Sequence, residues 1–299
     1  MNRITSGRTS IGLLALALLA FGCQPQTAST KEASTSERSA PARPPAAEQS
    51  LPIRFAAADV LSKSMQALLQ KHDLATLWQG DNEERRTDPT LQGFFGPDHY
   101  RFALVLNEVQ RDEQHPEVYH LRGKCRYRQN IRPFTGTLTV RQVVDLPDLQ
   151  FRSVLAADEG LAGDTTAVAT YTARARLQLQ EEQRENSGIF EGEALLDFYV
   201  VRTGKIGYVV SPMDGVDETN PTRGSGLLLR GKRRNVTTRQ VKDFVVAASA
   251  LSAAPDVFQD FAVGERGSEI NPKYAKLGWN ELWANEEWWH DSAKPQPNL

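Results

Sequence analysis

The sequence predicts a mainly β protein, an antiparallel β-barrel or curved β-sandwich of about 8–10 strands with flanking N- and C-terminal helices. Three observations carry that expectation. Apolar residues recur with a strict period of two along at least five segments. The segments are separated by short polar turns, as in an antiparallel sheet with one buried face. No glycine-rich strand-to-helix junction interrupts them, which argues against a doubly wound nucleotide fold.

Taken in order, the first element is helical. Between Ala56 and Lys71 the residues Val60, Leu61, Met65, Leu68 and Leu69 recur at helical spacings, with Asp59 near the start and Lys71 and His72 near the end, where they suit the helix dipole. After Trp78 the period becomes two. Tyr100, Phe102, Leu104 and Leu106 form one face; Tyr119, Leu121, Gly123, Cys125 and Tyr127 the next; Phe134, Gly136, Leu138 and Val140 a third. Tyr171 to Leu179 and Phe190 to Val200 repeat the pattern. Phe134-Thr-Gly136 and Phe190-Glu-Gly192 echo each other, each glycine allowing a bend or the close approach of another backbone. Val236 to Ala248 reads as a last strand, with a helix as the competing reading of its Ala-rich tail. Asp256 to Phe261 reads as a helical turn. Asn271-Pro272 then opens a C-terminal helix that runs from Lys273 to about Trp289 and is interrupted at Gly278. At the level of fold alone the pattern is similar to lipocalin-like and related small β-barrels, a likeness that carries no function.

The N-terminus speaks about location. Arg3 and Arg8 precede an apolar run from Ile11 to Phe21, then Gly22 and Cys23, which are the parts of a secretory signal. The run is shorter than the roughly 20 residues that span a bilayer as a helix. Leu19-Ala20-Phe21-Gly22-Cys23 resembles the lipobox of bacterial lipoproteins. That resemblance implies removal of residues 1–22 and acylation of Cys23, with several chains contributing about 0.8 kcal/mol per buried methylene. It also implies the cell envelope, and the outer membrane where there is one, because Gln24 rather than aspartate follows the cysteine. From Gln24 to Pro52, Ser, Thr, Pro and Ala supply 19 of 29 residues, too little apolar area to offset ordering entropy. Residues 23–52 are therefore expected to be a flexible tether of about 30 Å reach, and 53–299 a single β-rich domain.

Composition excludes two classes. With 35 basic against 37 acidic residues and a formal net charge of −2, the chain is neither a globally basic nucleic-acid binder nor, at 40% hydrophobic residues, a disordered polyelectrolyte. Charge is nevertheless segregated. Six Lys or Arg and no acid lie between Val118 and Val144, and seven more between Thr219 and Lys242. On the first block His120, Arg122, Lys124, Arg126 and Arg128 alternate with the apolar set and share one strand face. Their expected hairpin partners, Thr135, Thr137 and Thr139, cannot neutralise them, whereas Arg174 and Arg176 face Glu191, Glu193 and Asp197. If the two blocks meet they attract an anionic partner; if not, Arg230 to Arg234 is a solvated loop.

Candidate binding residues are accordingly Arg122, Lys124 and Arg126, for an anionic lipid or glycan, with Trp279 and Trp283 as an aromatic platform. Trp279 and Trp283 are four apart and would share a helix face near Glu281, Glu286 and Glu287. The preferred expectation is a non-catalytic lipoprotein that binds a ligand or partner, a small hydrophobic molecule being possible if the sheet encloses a cavity. The alternative is a glycan-acting hydrolase using carboxylates beside the tryptophans. His72, His99, His115, His120 and His290 show no metal-ligand spacing, no G-x-S-x-G elbow exists, and no catalytic residue, metal or cofactor is expected. Asp214-Gly-Val-Asp217 lacks the order of a calcium loop, and Cys125 reads as a buried small hydrophobe.

Overall fold

A computed structural model describes residues 61–80, 89–210, 219–255, 257, 261–263, 269–281 and 287–290. The chain divides into Met1–Pro52 and Ile53–Leu299, and every described residue belongs to the second unit. The predicted signal, Cys23 and the tether lie outside the described residues.

Alternating sequence is realised as pairing between chain neighbours. The strands β1 (Leu91–Phe95), β2 (Tyr100–Arg111), β3 (Val118–Tyr127), β4 (Asn130–Asp145), β5 (Val168–Glu181) and β6 (Gly188–Val201) pair antiparallel in succession. The other edge of β6 takes β8 (Leu227–Asn235) and then the three-residue β7 (Ile206–Tyr208). β8 pairs with β9 (Val241–Ala247), which returns to β1. Hydrogen bonding thus closes into a ring of paired strands, with β7 branching from it.

This corrects the expected barrel and, with it, the likeness to lipocalin-like folds. The nine-stranded sheet is branched at β6, and its axis holds side chains rather than an open apolar interior. Phe102 stacks on Phe190 with centroids 5.8 Å apart, and Phe244 meets both edge-on. Each fully buried large side chain contributes about 1.5–3 kcal/mol. The paired glycines have the role their echo suggested. A Cβ on Gly136 would strike the carbonyl of Gln178, and one on Gly192 that of Arg230, so both permit the close strand approach that a tightly curled sheet needs.

Helices α1 (Lys63–Lys71) and α2 (Ala75–Gln79) close one end of the ring. The expected helix from Ala56 begins at Lys63 within the described residues, because the Ser62 side chain accepts from the Met65 amide at 3.3 Å and caps it there. Trp78 packs edge-on against Tyr119 at 6.4 Å, and the Tyr119 hydroxyl accepts from the Leu74 amide at 3.4 Å. A helix that the alternation conceals, α3 (Leu149–Asp158), fills the link between β4 and β5. Asp148 caps it, accepting from the Phe151 amide at 2.8 Å.

A second apolar cluster lies on the outer face of the ring. Phe94, Leu195 and Leu228 point outward there and are covered by Ala253, Phe261, Tyr274 and Trp279. The cover includes α4 (Ala250–Ala253) and α5 (Pro272–Ala275), which Asn271 caps as its sequence suggested. The long C-terminal helix expected from Lys273 is instead broken. Gly278 takes φ 93°, and a single 3-10 turn, Trp279–Glu281, follows. A separate two-stranded antiparallel pair joins β10 (Ala262–Val263) to β11 (Glu269–Ile270). Among the described residues no helix is long and apolar enough to cross a membrane, a statement that does not bear on strands.

Candidate anion-binding groove

The outward row of β3 is as the alternation placed it, but its charge is not left uncompensated. A strand within a sheet has two neighbours, and the hairpin β3–β4 supplies only one. Register pairs Arg122 with Thr135 on β4 and with Glu108 on β2. Arg122 lies 3.6 Å from Glu108, and His120 lies 2.9 Å from Asp112. The Asp112 carboxyl is pulled down to about 2 by the hydrogen bond from His120 and then by the amides of Gln114 and His115. Farther along, Lys124 Nζ donates to the His290 carbonyl at 3.2 Å, and Arg126 Nη2 lies 3.4 Å from Glu281 Oε2. The C-terminal segment therefore crosses the far half of this row.

Of the three predicted cations, Arg126 lines a groove that Arg122 and Lys124 do not. Between the β2–β3 outer face and the segment from Ala275 to Glu281 lies a groove of about 530 Å³, lined by Tyr100, Arg101, Arg126, Arg128, Lys276 and Glu281 among others. Among the described residues four cations and one carboxylate line it. The Arg126 guanidinium is nearly buried, with its Nε on the Arg128 carbonyl at 3.3 Å, so its charge is held in place and poorly screened. Arg101 is oriented by Gln92, whose Oε1 accepts from its Nε at 3.2 Å. Arg128 occupies the β3–β4 turn at φ 55°, a conformation that favours Gly and Asn, and stacks its guanidinium 4.5 Å from the centre of the Tyr100 ring. A cation held at such a φ is the kind of local strain that accumulates at binding sites.

The other candidates fall elsewhere. Trp279 is fully buried, its ring tilted against Phe94 at 4.7 Å and edge-on to Phe261 at 5.0 Å, with its indole N–H donated to the His99 carbonyl at 2.9 Å. The expected ligand platform is therefore corrected at this residue: the indole is a core side chain of the outer cluster. Trp283 lies outside the described residues, as do Asp214 and Asp217. Trp289 is buried while its neighbour Trp288 is half-buried, as adjacent residues with opposite orientations require. Cys125 is buried as expected, but it is not merely apolar: its thiol lies 3.6 Å from Glu181 Oε1, and burial pushes it well above the ordinary thiol range. Among the described residues no group of three or more His, Cys, Asp or Glu is placed to share a metal ion.

Sequence reasoning missed Tyr100, Arg101 and Lys276 as groove residues, whereas Arg128 was already on the basic face with Arg126. No signal existed for Lys276, which reaches the groove only because Gly278 turns the chain back. A second cleft of about 470 Å³, at the helix-closed end, has the opposite character: Asp73, Asp112 and Glu113 line it beside Arg111. Comparison with family models, with curated proteins and with solved structures finds no match for this chain.

Proposed function

We propose that the chain is an exported lipoprotein of the cell envelope, anchored by acyl chains on Cys23, whose β-domain binds an anionic ligand in the groove between β3 and the C-terminal segment without catalysing a reaction. The observation that carries the binding reading is the groove lining: among the described residues, Arg101, Arg126, Arg128 and Lys276 beside the carboxylate of Glu281. That carboxylate is engaged by Arg126, which favours binding over acid–base chemistry. The reading of location rests on the LAFGC segment and, for the outer membrane, on Gln24. The hydrolase alternative loses one of its two platform residues, because Trp279 is a core residue with its N–H already donated.

Titration of inorganic pyrophosphate into the full chain tests the groove. Binding should weaken with rising salt. Arg128→Asn should weaken it about tenfold, the loss of one charge-assisted hydrogen bond. Asparagine suits the positive φ, so the variant removes charge without disturbing the turn. Unchanged affinity in that variant overturns the reading. The anchor is checked by intact mass and detergent-phase partition; an unmodified Cys23 in a protein that stays in the aqueous phase overturns it.

A further inference from the structure

We infer that the end of the ring opposite α1 and α2 is a docking surface for an anionic lipid bilayer. This goes beyond the groove reading, with which it shares only Arg128. Register brings four turns to that end: Phe95 pairs with Tyr100, Tyr127 with Asn130, Gln180 with Ile189, and Arg234 with Val241. The two basic blocks of the sequence meet here. Arg128 of the first and Lys242 of the second flank one ring, lying 5.4 Å and 6.0 Å from the centre of Tyr127. The second block is not a solvated loop: it forms β8 and the turn after it, and brings Arg233, Arg234, Arg239 and Lys242 to this rim.

Two of the four turns place arginine at a positive φ, Arg128 at 55° and Arg239 at 63°, where Gly or Asn is favoured. Arg132 and Arg234 stand one or two residues inside the same strand ends. Among the described residues the acidic side chains at this end are Asp98, Glu181, Glu182 and Glu185. Glu181 is buried against Arg233 at 2.7 Å, and Glu182 is paired with Arg184 at 2.5 Å. Lys232 and Asp243, farther in, neutralise each other. Cations therefore exceed anions at the rim.

Aliphatic exposure distinguishes a bilayer from a soluble anion. Of six large aliphatic side chains exposed among the described residues, three (Ile131, Val236 and Val241) sit at these strand ends and turns. Cations at headgroup depth with aliphatic and tyrosine side chains between them suit an anionic interface, and a free anion has no use for the aliphatics. The helix-closed end, with Asp73, Asp112 and Glu113, is repelled by the same surface and so helps to orient the molecule.

The test uses the full chain carrying Cys23→Ala, so that no acyl chain contributes. It is sedimented with vesicles of phosphatidylcholine alone and of phosphatidylcholine and phosphatidylglycerol in equal parts. Binding should require phosphatidylglycerol and disappear at high salt. Arg239→Asn should weaken it about fivefold, as one surface charge implies, while leaving pyrophosphate binding unchanged. Val236→Ser with Val241→Ser should weaken it without altering the salt dependence. Asparagine at φ 63° keeps the turn intact, which an unchanged unfolding midpoint verifies. Equal binding to both vesicles, no binding to either, or no effect of Arg239→Asn overturns the inference. Pyrophosphate binding without vesicle binding leaves the groove and removes the rim; vesicle binding without pyrophosphate binding does the reverse.

Discussion

At one end of the ring Leu69, Leu74, Leu77 and Trp78 pack against Tyr119, an apolar closure supplied by two helices. At the other, the inward positions at the strand ends hold Glu181 and Arg233. Arg233 Nη2 lies 2.7 Å from Glu181 Oε2 and its Nε 3.1 Å from Oε1, a bidentate pair. The carboxylate also accepts from the Gly188 amide at 2.7 Å and from the Cys125 thiol, and the Arg233 guanidinium lies over Phe190 at 5.7 Å. An apolar closure tolerates one loss in proportion to the volume removed. An ionic closure depends on both partners, since either one alone is a buried charge.

The largest expected effect breaks the ionic end. Arg233→Met leaves Glu181 buried with only an amide and a thiol as donors, and should cost about 3–5 kcal/mol in urea unfolding. Adding Glu181→Leu should recover most of that loss. If the double variant is as unstable as the single, the pair is not acting as a unit and the contrast between the ends fails. At the apolar end Leu74→Ala should cost about 2–5 kcal/mol by cavity formation. No second polar substitution should rescue it.

The same contrast explains what the sequence made legible. The apolar closure depends on local periodicity, and Met65, Leu68 and Leu69 announce α1 without knowledge of any partner. Five of the ring strands were legible for the same reason. Glu181 and Arg233 were not, because each is the charged last inward position of an otherwise apolar alternation, and only the register of β5, β6 and β8 shows that they meet. β8 itself was hidden by charge: Arg230, Lys232 and Arg234 point outward while Leu227, Leu229 and Gly231 point in, yet the run reads as basic. Arg126 was found as a strand-face cation. The rest of its groove comes from β2, its sheet neighbour, and from the turn at Gly278, which lies more than a hundred residues farther along the sequence.

A proton sharpens the comparison. His72 caps the end of α1 and is buried there, and burial, then the charge of Lys71, lowers its pKa below 6.5. The folded state holds it neutral, whereas the unfolded chain takes up a proton near 6.5. Its contribution is therefore present above that pH and is lost as pH falls toward the depressed folded value. Asp197 and Glu193 act in the opposite sense. Burial raises their carboxyls, so their contribution is present at low pH and lost as pH rises. The His72 effect is isolated by difference: the unfolding midpoint of His72→Gln should fall less than that of the parent as pH drops below 6.5. Parallel curves would show that the apolar closure is indifferent to this proton.

The smallest effect concerns the basic row that first suggested a site. Arg122 and Glu108 are both more than half exposed, so their attraction is screened, and fixing two long side chains offsets much of it. Arg122→Ala should shift stability by about 0–1 kcal/mol and leave pyrophosphate binding in the groove unchanged, because Arg122 does not line it. Arg126, two positions along the same face from Lys124, is nearly buried and lies against Glu281, so Arg126→Ala should lower both stability and anion affinity. Urea unfolding and pyrophosphate titration of the two variants side by side separate a solvated strand face from a site. If Arg122→Ala weakens binding as much as Arg126→Ala, the ligand spans the row rather than the groove. What sets Arg126 apart from the rest of the row is not its place in the alternation but the C-terminal segment that covers it.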